Sequence, residues 1–270
     1  MRILVGTAGI PGSAEERSTP GGIKRVSELG LHSMEVEFVR GVNMSPKLAK
    51  ESGKVAADLG IKLSVHAPYY INLCNPEKIT DSQKRIMDSC YRGHLMGSDV
   101  IVFHPGYYGK LEKDEAFDMV ERACKEMAEV IEDNGWKVKL GLETTGKVSQ
   151  FGTVNEIVGI CKGNKLCVPV IDWAHLFAKY QGKVDFKSIL SKVISAGYDR
   201  LHTHCSGIDF TEKGERRHLT LDHKKPDFEE IARIILKCDL KEINVISESP
   251  DIEGDALLMK GIFENNGYAF

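Results

Sequence analysis

The run Gly97-Ser-Asp-Val100-Ile-Val-Phe-His104-Pro-Gly106 decides the fold. Gly97 closes a segment, Thr80–Met96, whose apolar residues recur at helical spacing; glycine favours the left-handed turn that ends a helix. Val100-Ile-Val-Phe, three β-branched residues and an aromatic, then predicts a buried strand over Val100–His104 that finishes on a histidine. Working outward, the same unit recurs. Further strands are predicted at Ile3–Thr7, Ser33–Phe38, Lys62–His66, Lys139–Glu143, Cys167–Asp172, Arg200–His204 and Asn244–Glu248. Helical patterns fall between them at Ser45–Leu59, Glu112–Asn134, Thr153–Cys161, Asp185–Ala196, Asp227–Lys237 and Gly254–Glu264. Ser45-Pro46 is a good N-cap and first-turn pair, and Gly30, Gly60, Gly97, Gly135, Gly163 and Gly197 fall where helices should stop. Strands alternating with helices imply a parallel sheet, and eight such units imply an α/β fold of the (β/α)8 TIM-barrel type, a single domain over residues 1–270. An open doubly wound sheet fits less well, because the first βα turn lacks a GxGxxG phosphate loop.

Composition agrees with that reading. A chain of 270 residues, 42% of them hydrophobic, is long enough to bury one barrel core, and no Pro/Ser-rich linker or block of like charge divides it. The formal net charge of −3 excludes a globally basic nucleic-acid binder. It leaves room for a local basic groove, since acidic metal ligands no longer repel phosphate once an ion is bound. Seven cysteines, an odd number with no CxxC pair, point to reduced thiols serving as small buried side chains. No stretch approaches the ~20 apolar residues needed to span a membrane. A soluble, cytoplasmic, monomeric protein with no membrane partner is therefore expected.

The chemistry lies where the strands end. Strand 3 finishes on His66, strand 4 on His104, strand 5 on Glu143, strand 6 on Asp172 with His175 three residues on, strand 7 on His202 and His204, and strand 8 on Glu248. In a barrel these ends share one face, where such enzymes place their active sites. One such residue alone is more often a hydrogen-bonded loop histidine or an N-capping carboxylate. Six successive strands ending this way point instead to metal, because so many buried uncompensated charges would be costly. Imidazole with carboxylate suits zinc, manganese or iron better than magnesium. Glu215 and His218 sit in a long charged loop after strand 7, from which they can complete a further site. Tyr69, Tyr70 and Asn72 follow His66, and Arg40 follows strand 2; aromatics there can stack on a base, and the arginine can meet phosphate. His32, His94 and His223 lie away from strand ends and read as structural.

Taken in order, His66-Ala-Pro-Tyr-Tyr-Ile-Asn-Leu, Phe-His104-Pro-Gly, Glu143-Thr-Thr-Gly, Ile-Asp172-Trp-Ala-His175 and Glu248-Ser-Pro resemble the endonuclease IV family of abasic-site DNA repair enzymes, whose wider relatives are xylose-isomerase-like TIM barrels. The resemblance implies three zinc ions, with manganese or iron acceptable at some sites. It also implies hydrolysis of the phosphodiester 5′ to an abasic site in double-stranded DNA, leaving a 3′-hydroxyl. It would place His66, His104 and Glu143 on one ion, and Glu143, Asp172, a strand 7 histidine and Glu248 on a second. Glu143 would bridge that pair as the central catalytic residue. His175 and His218 would hold the third, and Tyr69 would occupy the place of a DNA-inserting aromatic, with Arg40 and Asn72 beside it as DNA contacts.

Two departures stand out. The family's strand 7 motif His-Leu-Asn-Asp is replaced by His202-Thr-His204-Cys-Ser-Gly, so either histidine can be the ligand; His204 is favoured because Cys205-Ser206 follows it as Leu-Asn follows the family histidine. The family's aspartate two residues before the loop histidine is replaced by Arg216, which makes Glu215 the substitute ligand. A sugar isomerase or epimerase is the alternative, since one ion on Glu143, Asp172, one strand 7 histidine and Glu248 would suffice for it. A non-catalytic binder that keeps metal for stability has no need of an open polynuclear site.

Overall fold

A computed structural model describes all 270 residues, Met1–Phe270. The chain alternates from its first strand onward: β1 (Arg2–Ala8), α1 (Thr19–Glu28), β2 (Ser33–Glu37), α2 (Pro46–Leu59), β3 (Lys62–His66), α3 (Ile79–Met96), β4 (Val100–Phe103) and α4 (Lys113–Asp133). Then come β5 (Lys139–Glu143), α5 (Val154–Gly163), β6 (Cys167–Asp172), α6 (Trp173–Lys179), α7 (Phe186–Ser195), β7 (Arg200–Cys205), α8 (Phe228–Ile235), β8 (Glu242–Ser247) and α9 (Ile252–Asn265). The eight strands follow the order β1-β8-β7-β6-β5-β4-β3-β2 of a closed (β/α)8 barrel, each beside its chain neighbour.

Helix ends obey their side-chain chemistry. Ser45 Oγ accepts the Leu48 N–H at the start of α2, and Gly60 ends that helix in the left-handed conformation at φ 68°. Gly30, Gly97, Gly135 and Gly197 also adopt positive φ, as predicted. Gly163 does not: it is the last residue of α5, and Asn164 leaves the helix in extended backbone. Helix α1 escapes the sequence pattern, because Pro20, Gly21 and Gly22 in its first turns depress helix propensity. Packing demands glycine there, since a Cβ on Gly21 would meet the Glu16 carbonyl oxygen at 2.3 Å. The segment after β7 is not a loop. It is a β-hairpin of Gly207–Thr211 and Gly214–Leu219.

The fold divides into two compact units. One comprises Met1–Met34, Gly146–Val148 and Ile171–Phe270. Within it β1 pairs with β8 and β8 with β7, in a register that sets Asn244 beside His202 and Ile246 beside His204. The hairpin lies against α6, where Ile208 and Phe210 pack on Ala174, Phe177 and Ala178. The other unit comprises Glu35–Thr145 and Ser149–Val170, with β3, β4, β5 and β6 paired in turn and Val100, Val102 and Val170 in its core. Parallel strands buried on both faces read as unbroken apolar runs, as Val100–Phe103 does. All seven cysteines are free, six of them buried, and no helix is long and apolar enough to cross a membrane.

Candidate metal centre

His66 ends β3, His104 follows β4 and Glu143 ends β5. Their neighbouring strands bring the three side chains together: His66 Nε2 lies 3.1 Å and His104 Nε2 2.9 Å from the same Glu143 oxygen, Oε2. The two imidazoles meet edge to face with centroids 5.5 Å apart, and Glu143 is fully buried. His66 Nδ1 lies 2.8 Å from the Ala67 carbonyl, which can only accept, so the Nδ1 proton sits there. That leaves the Nε2 lone pair aimed at a carboxylate, an arrangement that needs a positive charge between them. Burial alone would lower the His66 pKa. The hydrogen bond to Glu143 and the nearby Glu37 and Glu35 carboxylates outweigh it and raise the value to about 10. A proton supplies the charge in the metal-free chain, and a divalent ion suits the same position.

The other unit repeats this pattern. Asp172 caps α6, its Oδ1 accepting the His175 N–H at 2.6 Å, while Oδ2 stands 3.4 Å from His175 Nδ1. His175 Nε2 then faces Glu215 Oε2 at 3.5 Å, and Glu215 Oε1 faces His218 Nε2 at 3.9 Å. His218 Nδ1 is anchored by the Glu248 carbonyl at 3.1 Å and Ser206 Oγ at 3.0 Å. Carboxylate or carbonyl behind one ring nitrogen and a carboxylate before the other is the arrangement that orients metal-binding histidines. Residues three apart on a regular strand point to opposite faces. Glu215 and His218 share a face because Arg216 is bulged out, with Asp209 opposite Arg217 and Phe210 opposite Glu215. Arg216 and Arg217 turn away from this cluster onto Asp209. The donor atoms of His175, His218 and Glu248 also fall within 4.8 Å of one another.

The two strand 7 histidines occupy successive layers. His204, fully buried, has Nδ1 3.1 Å from Glu248 Oε1. His202 lies one pair deeper, with Nδ1 3.2 Å from Asn244 Nδ2, and Asn244 Oδ1 is bonded to Ser33 Oγ at 2.6 Å. His204 therefore faces the Glu248 carboxylate directly, while His202 is held at Nδ1 by the Asn244 amide.

Arg40, Tyr69 and Tyr70 are exposed at the ends of β2 and β3. Asn72 is turned to the fold: its Oδ1 accepts the N–H groups of Cys74 at 3.1 Å and Tyr107 at 3.2 Å. Sequence reasoning missed the anchors Ser206, Ala67 and Asn244. A serine or a backbone carbonyl carries no signal of its own, since only the chain that folds back on it gives it a role. His32, His94 and His223, read as structural from the sequence, have partners outside these clusters. His32 stacks on Phe270, His94 Nδ1 accepts the Lys137 N–H, and His223 sits beside Thr220 and Asp222.

The family model described as the xylose isomerase-like TIM barrel matches residues 23–262. The chain belongs to that family. An uncharacterised protein of Methanocaldococcus jannaschii is 34% identical over 269 residues, covering 96% of each chain. A probable endonuclease 4 of Mycoplasma mobile is 26% identical over 212 residues, covering 73% of this chain and 72% of its own. Among solved structures, endonuclease IV from Thermus thermophilus has a TM-score of 0.72 at 18% identity, covering 96% of this chain and 98% of its own. A D-tagatose 3-epimerase-like protein has a TM-score of 0.73 at 21% identity, covering 98% and 96%. Both structural likenesses carry the barrel fold.

Proposed function

We propose that this protein is a zinc-dependent endodeoxyribonuclease of base-excision repair that cuts the phosphodiester 5′ to an abasic site and leaves a 3′-hydroxyl. The observation that carries the proposal is the hairpin pair Glu215 and His218 beside His175. An isomerase working with one ion has no use for that extra set. His66, His104 and Glu143 would hold a first ion; Glu143, Asp172, His204 and Glu248 a second; His175, Glu215 and His218 a third. Mixed nitrogen and oxygen donors suit zinc, and accept manganese or iron. When bound, such ions polarise a phosphoryl group and acidify water.

The chain's own residues do the rest. Glu143 offers one oxygen to two imidazoles, and a carboxylate has a second oxygen with which to bridge. Asp172, the Ala67 carbonyl and the Glu248 carbonyl fix the ring orientations of His175, His66 and His218. Tyr69 and Arg40, both exposed, suit the grip on duplex DNA. With a net charge of −3 that grip is local, and it should weaken steeply with salt.

A second reading has its own support. Glu143, Asp172, His204 and Glu248 alone satisfy a sugar epimerase using one ion, and the epimerase-like structure shares the fold. Metal analysis of the purified protein separates the two. Near three ions per chain supports the nuclease, and a single ion overturns it. Nicking of an abasic duplex, abolished in E143Q, tests the reaction. Full metal loading without a nick would refute the DNA substrate while leaving the metal centre standing.

A further inference from the structure

Three loops that follow β2, β3 and β4 are tied into one surface beside the His66–His104–Glu143 cluster. The Tyr69 N–H donates to the Val39 carbonyl at 3.1 Å, and the Leu73 N–H to the Pro105 carbonyl at 2.8 Å. Asn72 adds the third tie, accepting the Tyr107 N–H at 3.2 Å. The approach is so close that a Cβ on Gly106 would stand 2.2 Å from Asn72 Oδ1 and 2.8 Å from its Cα. Tyr70 is two residues from this junction on one loop, and Tyr107 is one residue from it on the other. At about 3.8 Å per residue, their backbones lie within about 15 Å of each other.

The surface these ties hold is aromatic and exposed. Tyr69 is 63%, Tyr70 65% and Tyr107 40% accessible. Tyrosines so exposed on tied loops contribute little to packing, and grouped exposed apolar surface marks a binding site. The Tyr69 ring is 6.4 Å from the His66 ring, so the surface is continuous with the proposed metal centre. Exposed Arg40 and Lys110 lie on its two outer loops, which suits a polyanion. Aromatic faces interleaved with basic residues form the kind of platform on which unstacked bases lie.

We propose that Tyr107 stacks on a DNA base next to the cleaved linkage, as one wall of a tyrosine platform with Tyr69 and Tyr70. Asn72 is a positioning residue for it, accepting its N–H, while the antiparallel pairing of Gly106–Tyr107 with Gln150–Phe151 holds the same segment from the other side. The inference rests on the nuclease reading and goes beyond it. It assigns a DNA contact to the loop after β4, and it replaces a direct contact by Asn72 with an indirect one.

The test uses the metal-loaded full chain and an abasic duplex carrying 2-aminopurine beside the lesion and a phosphorothioate at the scissile position. Affinity and fluorescence quenching are read together with bound metal. Y107A should weaken binding about tenfold and lose the quench, while Y107F keeps both, since stacking needs the ring and not the hydroxyl. N72A should weaken binding and reduce the quench in the same direction by a smaller factor, and N72D, which retains an acceptor oxygen, should restore both; metal content should be unchanged throughout. Wild-type affinity and quench in Y107A overturn this inference and leave the nuclease reading intact. Wild-type chain that binds no DNA overturns both. Should N72A fail to fold, the Y107A and Y107F pair decides alone.

Discussion

Gly146→Ala should remove one metal ion and leave the rest of the centre in place. Gly146 follows the Glu143-Thr-Thr run, and its φ is not in the left-handed region, so alanine meets no backbone strain there. The obstacle is steric. An added Cβ would stand 2.6 Å from Glu215 Cβ, 2.7 Å from Glu215 Oε2 and 3.0 Å from His175 Cδ2. Carbon atoms pack at about 3.5–4.0 Å, so Glu215 must retreat by on the order of 1 Å. The backbone cannot take up that shift, because the Glu215 N–H is bonded to the Gly146 carbonyl at 3.0 Å and Lys147 bridges to Gly214. Metal–ligand distances tolerate only about 0.2 Å, so Glu215 would be lost as a ligand. The overpacking should also cost about 1–3 kcal/mol, a fall in Tm of a few degrees. Plasma mass spectrometry on protein dialysed against metal-free buffer should find one ion fewer than in wild type, with circular dichroism reporting the melting shift. A full complement at unchanged affinity would show that Glu215 is not a ligand. Loss of every ion would show that the damage is not local.

Two further outcomes follow from the hydrogen-bond pattern. H204N should lower the bound metal by one ion and H202N should lower metal affinity less, because His204 faces the Glu248 carboxylate while His202 is also held by the Asn244 amide; equal loss in both variants would contradict the layering. Glu156 closes the capping box of α5 and accepts from Tyr108 Oη at 2.6 Å, the Thr153 N–H at 2.8 Å and the Gly152 N–H at 3.2 Å. Partial burial opposes its ionisation, but these donors prevail and hold its pKa below the usual carboxylate range. A lowered folded-state pKa means that the stabilisation is complete above the unfolded value and fades as pH falls through the folded one. E156Q should therefore destabilise by about 1–2 kcal/mol at neutral pH and lose less stability than wild type on acidification, as read by urea titration at pH 7 and pH 3. Parallel pH profiles for the two proteins would refute this.

The barrel and most of the side chains gathered at its candidate metal centre were legible in the chain alone. Apolar runs that end on His66, His104, Glu143 and Asp172 carry both messages at once, because a parallel strand buried on both faces is a local pattern and its C-terminal end is a fixed place in the fold. Other assignments needed the third dimension. His202 and His204 are two apart and share a face, so periodicity cannot separate them; the register of β8 does, by setting Asn244 against one and bringing Glu248 to the other. Glu215 and His218 are three apart on a strand, a spacing that should divide them, and the bulge at Arg216 unites them. Asn72 reads as a DNA contact in the sequence, and only the fold shows that its side-chain oxygen also accepts the Tyr107 N–H from the loop after β4. Sequence determines what is periodic and local. Register, bulges and loop-to-loop approach depend on residues far apart in the chain, and only the tertiary structure decides them.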